Sequence, residues 1–221
     1  MARKQKSTVL GTVVTVIVIG IVVWMRIQED HATPLSDTEL LSEVQLSSDK
    51  FEVLNDCTLI DNSRNDGDSF HVQTPEGKEE VRLYFVDAPE SEAREYGNNE
   101  NNHQRIADQG KALGGLNRDQ TTQMGLEAKH FVKKLLTGKK FTIVTTRERV
   151  YRSRRIYAYV IVPYQGQDRY LHELLVLHGL GRIRTKPMIM PDNTSGDNQR
   201  DRLRQIEQHA QSEKNGAWAI Q

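Results

Sequence analysis

The sequence predicts an α+β fold, a five-stranded β-barrel with three helices, and three observations along residues 51–221 carry that expectation. Three short strand-like segments follow one another with turn residues between them. An apolar stripe at helical spacing comes next. Two more strand-like segments then precede two further helical stripes. Five short strands with a helix between the third and the fourth is the plan of an OB-fold barrel.

The first element in the chain is of a different kind. Residues 8–25 run without a charge through Val9, Leu10, Val13, Val14, Val16, Ile17, Val18, Ile19, Ile21, Val22, Val23 and Trp24. At about 1.5 Å per residue such a helix just crosses a hydrocarbon core of about 30 Å. Arg3, Lys4 and Lys6 precede the run, whereas Arg26 is soon offset by Glu29 and Asp30. This bias places the N-terminal tip in the cytoplasm and the remainder outside it, periplasmic or extracellular. The competing reading is a cleaved signal peptide, which would leave a secreted protein. The run is long for a signal's apolar region, and no small-x-small site follows Trp24, Met25 and Arg26, so residues 1–26 are expected to be an uncleaved transmembrane anchor. Residues 27–50 are polar and read as a spacer, with folded structure expected from Phe51 onward.

Strands are expected at 53–60, 69–74, 80–86, 140–146 and 157–163, with Asp66-Gly67 and Pro75-Glu76-Gly77 supplying turns between the first three. A helix is expected over 124–136, where Ala128, Phe131, Val132, Leu135 and Leu136 recur at three- and four-residue steps and Gly138 provides the stop. Two more follow at 171–178, closed by Gly179, and at 199–213, with Leu203, Ile206 and Ala210 on one side. Residues 91–123 are rich in Asn, Gln, Glu and Gly, and read as a long surface insertion without assigned secondary structure.

Composition narrows the chemistry. Lys plus Arg equals Asp plus Glu at 30 each, so no global positive field draws in nucleic acid or an acidic membrane, and any attraction for phosphate is local. Cys57 is the single cysteine, which rules out an intrachain disulfide and a thiolate metal site. The seven histidines include no pair at metal-ligand spacing.

Four stretches point to one kind of chemistry: Asn65-Asp66-Gly67-Asp68-Ser69-Phe70, Val81-Arg82-Leu83, Val86-Asp87-Ala88-Pro89-Glu90, and Arg154-Arg155-Ile156-Tyr157-Ala158-Tyr159-Val160. Singly, each has a structural reading: a hairpin turn, a helix N-cap with an acid three residues on, an arginine on a strand meeting solvent. Together, in order and spacing, they resemble the staphylococcal nuclease family. The similarity runs from about Val53 to Trp218. The resemblance implies that Asp68, Asp87 and the Ala88 backbone carbonyl bind calcium, that Glu90 sits near the metal through water, that Arg82 and Arg155 grip the scissile phosphate, and that Asp66 lies behind the metal ligands. Ser69 and Ala88 stand where the family often has Thr, the insertion after Glu90 is longer than in the plain secreted enzyme, and the Ser153-Arg154-Arg155 stretch leaves Arg154 as the alternative to Arg155.

The residue types suit that chemistry on their own terms. A hard dication takes carboxylate, carbonyl and water oxygens. Such an ion polarises a phosphoryl oxygen and orients water, while guanidiniums hold the charge that builds on the phosphate. The expected function is therefore a calcium-dependent nuclease acting on DNA or RNA outside the cytoplasm. The alternative is a non-catalytic module of the same fold that binds nucleic acid or protein at the membrane. Arg147, Arg149, Arg152, Arg154 and Arg155 form a basic run that either extends a phosphate track or is a solvated hairpin.

Overall fold

The computed structural model describes residues 37–97 and 100–220. The expected anchor lies outside the described residues, and among those described no helix is long and apolar enough to cross a membrane. The elements in chain order are α1 (Asp37–Leu40), β1 (Glu52–Leu59), β2 (Ser69–Thr74), β3 (Gly77–Leu83), β4 (Val86–Asp87), β5 (Glu95–Tyr96), β6 (Glu100–Asn101), α2 (His103–Ala112), α3 (Arg118–Leu136), β7 (Phe141–Thr145), β8 (Ile156–Tyr164), β9 (Gln167–Tyr170), α4 (Leu171–Leu177), β10 (Arg182–Ile183) and α5 (Gly196–Ser212). A 3-10 turn over Gly216–Ala219 follows.

Five strands close into a barrel. β1 pairs with β2, β2 with β3, and β7 with both β1 and β8, all antiparallel, and the ring shuts through a parallel pairing of β3 with β8 that sets Arg82 opposite Tyr157. This is the OB plan expected from the strand order. Closure needs curvature, and β1 supplies it: the register slips between Leu54 and Cys57, and Asp56 between them takes φ 58°. Tyr159 sits at the centre of the core, with the rings of Phe51, Tyr84, Tyr170 and His172 between 4.8 and 5.9 Å from its own. Aromatic packing of this kind holds the barrel's shape and so fixes where its strand ends lie.

Two regions differ from expectation. Residues 37–50, N-terminal to Phe51, belong to the packed fold: Leu40 and Leu41 are buried, and Ser42 gives both its backbone N–H (2.8 Å) and its hydroxyl (2.5 Å) to the buried carboxyl of Glu173. A polar composition hid this because few large apolar side chains, Leu40, Leu41 and the partly buried Val44, make the contact. The 91–123 insertion is also structured, as a β5–β6 hairpin followed by α2 and by the first two turns of an α3 that starts at Arg118 instead of near Met124. Asn117 caps α3 reciprocally with Gln120. The buried face of α2 is Ile106, Gln109, Gly110 and Leu113, helically spaced but half of it not apolar. A Cβ on Gly110 would meet the Leu116 carbonyl and the Thr121 hydroxyl at 2.4 Å, so the two helices approach as closely as a glycine permits.

Candidate active site

The strand ends at the Ser69 side of the barrel carry the acids and arginines singled out above. Asp68 precedes β2, Arg82 faces Ser69 across the β2–β3 pair, and Asp87 lies in β4. Between β3 and β4 the chain turns at Phe85, a buried aromatic held at φ 65°, a costly backbone for a side chain of that size. The turn lets β4 leave the barrel and pair with β10, opposing Asp87 to Arg182.

One guanidinium ties the two aspartates together. Arg82 donates through Nη1 to Asp68 Oδ1 at 2.7 Å and through Nη2 to Asp87 Oδ1 at 2.6 Å, with its side chain only 9 % exposed. Asp68 also receives the backbone N–H of Ala88 at 2.6 Å and the Ser69 hydroxyl at 3.2 Å. The Arg155 Nη1 reaches that same hydroxyl at 3.3 Å, whereas Arg154 is exposed. Glu90 is partly exposed at the edge of the cluster, and Asp66 accepts the Gly67 N–H at 2.9 Å beside Asp68.

Burial and charge separate the carboxyls. Burial pushes Asp66 up to about 7, with the neighbouring Asp68 charge adding to the rise. Burial likewise raises Asp68, against the pull of Arg82. Burial acts in the same sense on Asp87, but Arg82, Arg105, the Gln109 amide and Arg182 together outweigh it and bring the group down to about 2.

Residues 80–220, more than half the chain, match the family model described as staphylococcal nuclease homologue. The chain belongs to the staphylococcal nuclease family. The matched span includes Arg82, Asp87, Glu90 and Arg155, and starts after Asp66 and Asp68. No curated protein matches the chain.

This nuclease-family site contains four polar side chains that sequence reasoning did not single out. Arg105, from α2, donates to Asp87 Oδ1 at 2.9 Å and pairs with Glu90 Oε1 at 3.0 Å. Gln109, one turn on, spans Asp87 Oδ2 and the Ala88 carbonyl, both at 3.0 Å, while its own oxygen takes the Glu90 N–H at 3.0 Å. Arg182 binds Asp87 Oδ2 at 2.8 Å. Asn102 reaches Glu90 Oε2 at 3.4 Å. The guanidiniums therefore stand among the acids: Arg82, which the resemblance assigns to the phosphate, is bonded to both aspartates, and Arg105 and Arg182 join it on Asp87. Among the described residues no three His, Cys, Asp or Glu side chains are arranged to hold a metal ion.

The donor set nevertheless fits a calcium ion in kind, being all oxygen with no His or Cys among it. A count of lone pairs shows which donors are available. Both Asp87 oxygens already accept two hydrogen bonds each, which fills them, whereas Asp68 Oδ2, the Ala88 carbonyl and each Glu90 oxygen accept one and keep one. Asp87 gains room for a cation only when Arg105 yields, and Arg105 is the neighbour able to do so, with 45 % of its side chain exposed against 9 % for Arg82 and 8 % for Arg182.

Gly125 of α3 sets the backbone that carries Glu90. A Cβ there would lie 2.4 Å from the Glu90 carbonyl oxygen and 2.7 Å from that of Pro89. Gly125→Ala is expected to lower stability by about 1–3 kcal/mol through this backbone clash, overriding the gain in helix propensity of about 1 kcal/mol. The thermal midpoint should fall by about 3–10 °C. A midpoint at or above wild type would mean that α3 does not press on the 89–90 segment.

Proposed function

We propose that this chain is a calcium-dependent nuclease that hydrolyses phosphodiester bonds of DNA or RNA, working outside the cytoplasm on a domain tethered by residues 1–26, or secreted if that segment is removed. The observation that supports the reading is the convergence of Asp68, Arg82, Asp87, Glu90 and Arg155 at one set of strand ends, with a buried guanidinium bridging the two aspartates.

Calcium would be held by Asp68, Asp87 and the Ala88 carbonyl, with Glu90 reaching it through water and Asp66 behind, and when bound it would neutralise phosphate charge and help orient the attacking water. The chain's own residues do the rest. Arg82 spends Nη1 and one Nη2 proton on the aspartates and Ser69, which leaves its Nε–H and the second Nη2 proton along one edge for a pair of phosphate oxygens. Arg155, whose guanidinium is anchored at the Ser69 hydroxyl, supplies the second guanidinium. Glu90 takes the proton of the water whose oxygen forms the new bond to phosphorus, while the sugar oxygen leaves with the bonding pair and takes up a proton from solvent. The Gln109 side chain holds the Glu90 backbone in place.

The test is cleavage of single- and double-stranded DNA and RNA by wild type and by Arg105→Gln, titrated with calcium and repeated with chelator. Cutting is expected with calcium and not with chelator. Removal of the competing guanidinium should lower the half-saturating calcium concentration at least about tenfold, equivalent to about 1.4 kcal/mol. Chelator-resistant cutting would refute the calcium requirement. Nucleic-acid binding without any cutting would leave the non-catalytic reading in its place.

A further inference from the structure

A second cluster of arginines lies outside the site. An open cleft of about 380 Å³ between β10 and α5 is lined by Arg182, Arg184, Arg200 and Arg204, with Glu207 and Ala112 at its edge. The spacing explains the convergence: Arg182 and Arg184 are two apart on an extended strand end, and Arg200 and Arg204 are four apart on a helix, so each pair faces one way. Arg204 pairs with Asp201 at 2.5 Å, and Arg182 is held by Asp87 and the Asp108 carbonyl. The Arg184 and Arg200 guanidiniums have no hydrogen-bond or ion-pair partner among the described residues. Glu207 is the acid in the cleft, and burial raises its pKa against the pull of Arg204.

Like charges gathered in a concavity repel one another, and planar guanidiniums are shaped for phosphate. We infer that this cleft is a phosphate subsite for the nucleic-acid strand, engaging a phosphodiester other than the one cleaved, with Arg184 and Arg200 as its main contacts. The inference rests on the nuclease reading for the identity of the ligand. Arg182 connects the two places, since it lines the cleft and also binds Asp87. A strand seated across both would be held at two phosphates, which favours polymers over short substrates.

The experiment uses the full chain and a fluorescent single-stranded DNA of about twenty nucleotides, with anisotropy measured in chelator so that binding is read without cutting. Arg184→Glu/Arg200→Glu is expected to weaken binding at least tenfold. It should also reduce the slope of log K against log salt by about 1.4, the loss of two single-strand phosphate contacts. Hydrolysis of bis(p-nitrophenyl) phosphate, too small to span the cleft, should equal wild type. Arg184→Gln/Arg200→Gln, checked by thermal melting, repeats the measurement without charge reversal. Unchanged affinity and slope in both variants would overturn the subsite. So would loss of small-diester hydrolysis, because the arginines would then belong to the reaction centre. A wild type that binds DNA yet hydrolyses neither substrate would defeat the nuclease reading while the binding comparison still decided the subsite.

Discussion

Glu90→Gln is expected to reduce the turnover of nucleic-acid cleavage by about 10²–10⁴-fold, the range typical of a lost general base. The replacement is close in shape and leaves the backbone N–H bonded to Gln109 and the Asn102 contact available. What it removes is the capacity to accept a proton, together with the charge paired to Arg105. That ion pair is partly exposed, 45 % on the Arg105 side and 19 % on the Glu90 side, so its loss should change stability by about 1 kcal/mol at most. Turnover measured beside a thermal melt separates the two effects. Equal cutting by variant and wild type would assign the activity to a contaminant or to another residue.

Arg82→Lys is the second large effect, expected at about 10²–10³-fold in turnover, as for the loss of one fixed donor to a developing oxyanion. Lysine keeps the charge and loses the fork. A single ammonium reaches one of Asp68 and Asp87 well, not both at 2.7 and 2.6 Å, and it has no second edge to offer a phosphate. The aspartate left without its bond is buried, so the midpoint should fall too, by an amount that grows with the cost of an unpaired buried charge, about 3–5 kcal/mol at most. Calorimetry on the same preparation distinguishes an inactive folded enzyme from an unfolded one. Near-normal hydrolysis would refute the paired phosphate grip.

The two variants probe the part of the site that local sequence could disclose. Asp68, Arg82, Asp87 and Glu90 sit on or beside short segments whose turn residues are visible in the chain, and Arg155 lies just before a strand that reads as a continuous apolar run from Ile156 to Val162. Their meeting needs only the strand order of the barrel. Arg105, Gln109 and Arg182 were not legible in this way, because each acts on Asp87 from 18, 22 or 95 residues away. For α2 a signal did exist: Ile106 and Leu113, seven apart, mark one helical face. It was masked because the positions between them on that face are a glutamine and a glycine. The Gln109 side chain is fully buried and satisfied by the site itself, so it serves as core without being apolar.

The amino-acid order determined the barrel, its covering helices and the identity of the acids and arginines, since periodicity, turn residues and spacing are properties of neighbouring positions. Tertiary structure alone decided how those groups are wired. Lone pairs are few and each guanidinium that arrives uses some, so whether Asp87 is open to a cation depends on which distant side chains the fold brings to it, and here α2 and β10 bring two.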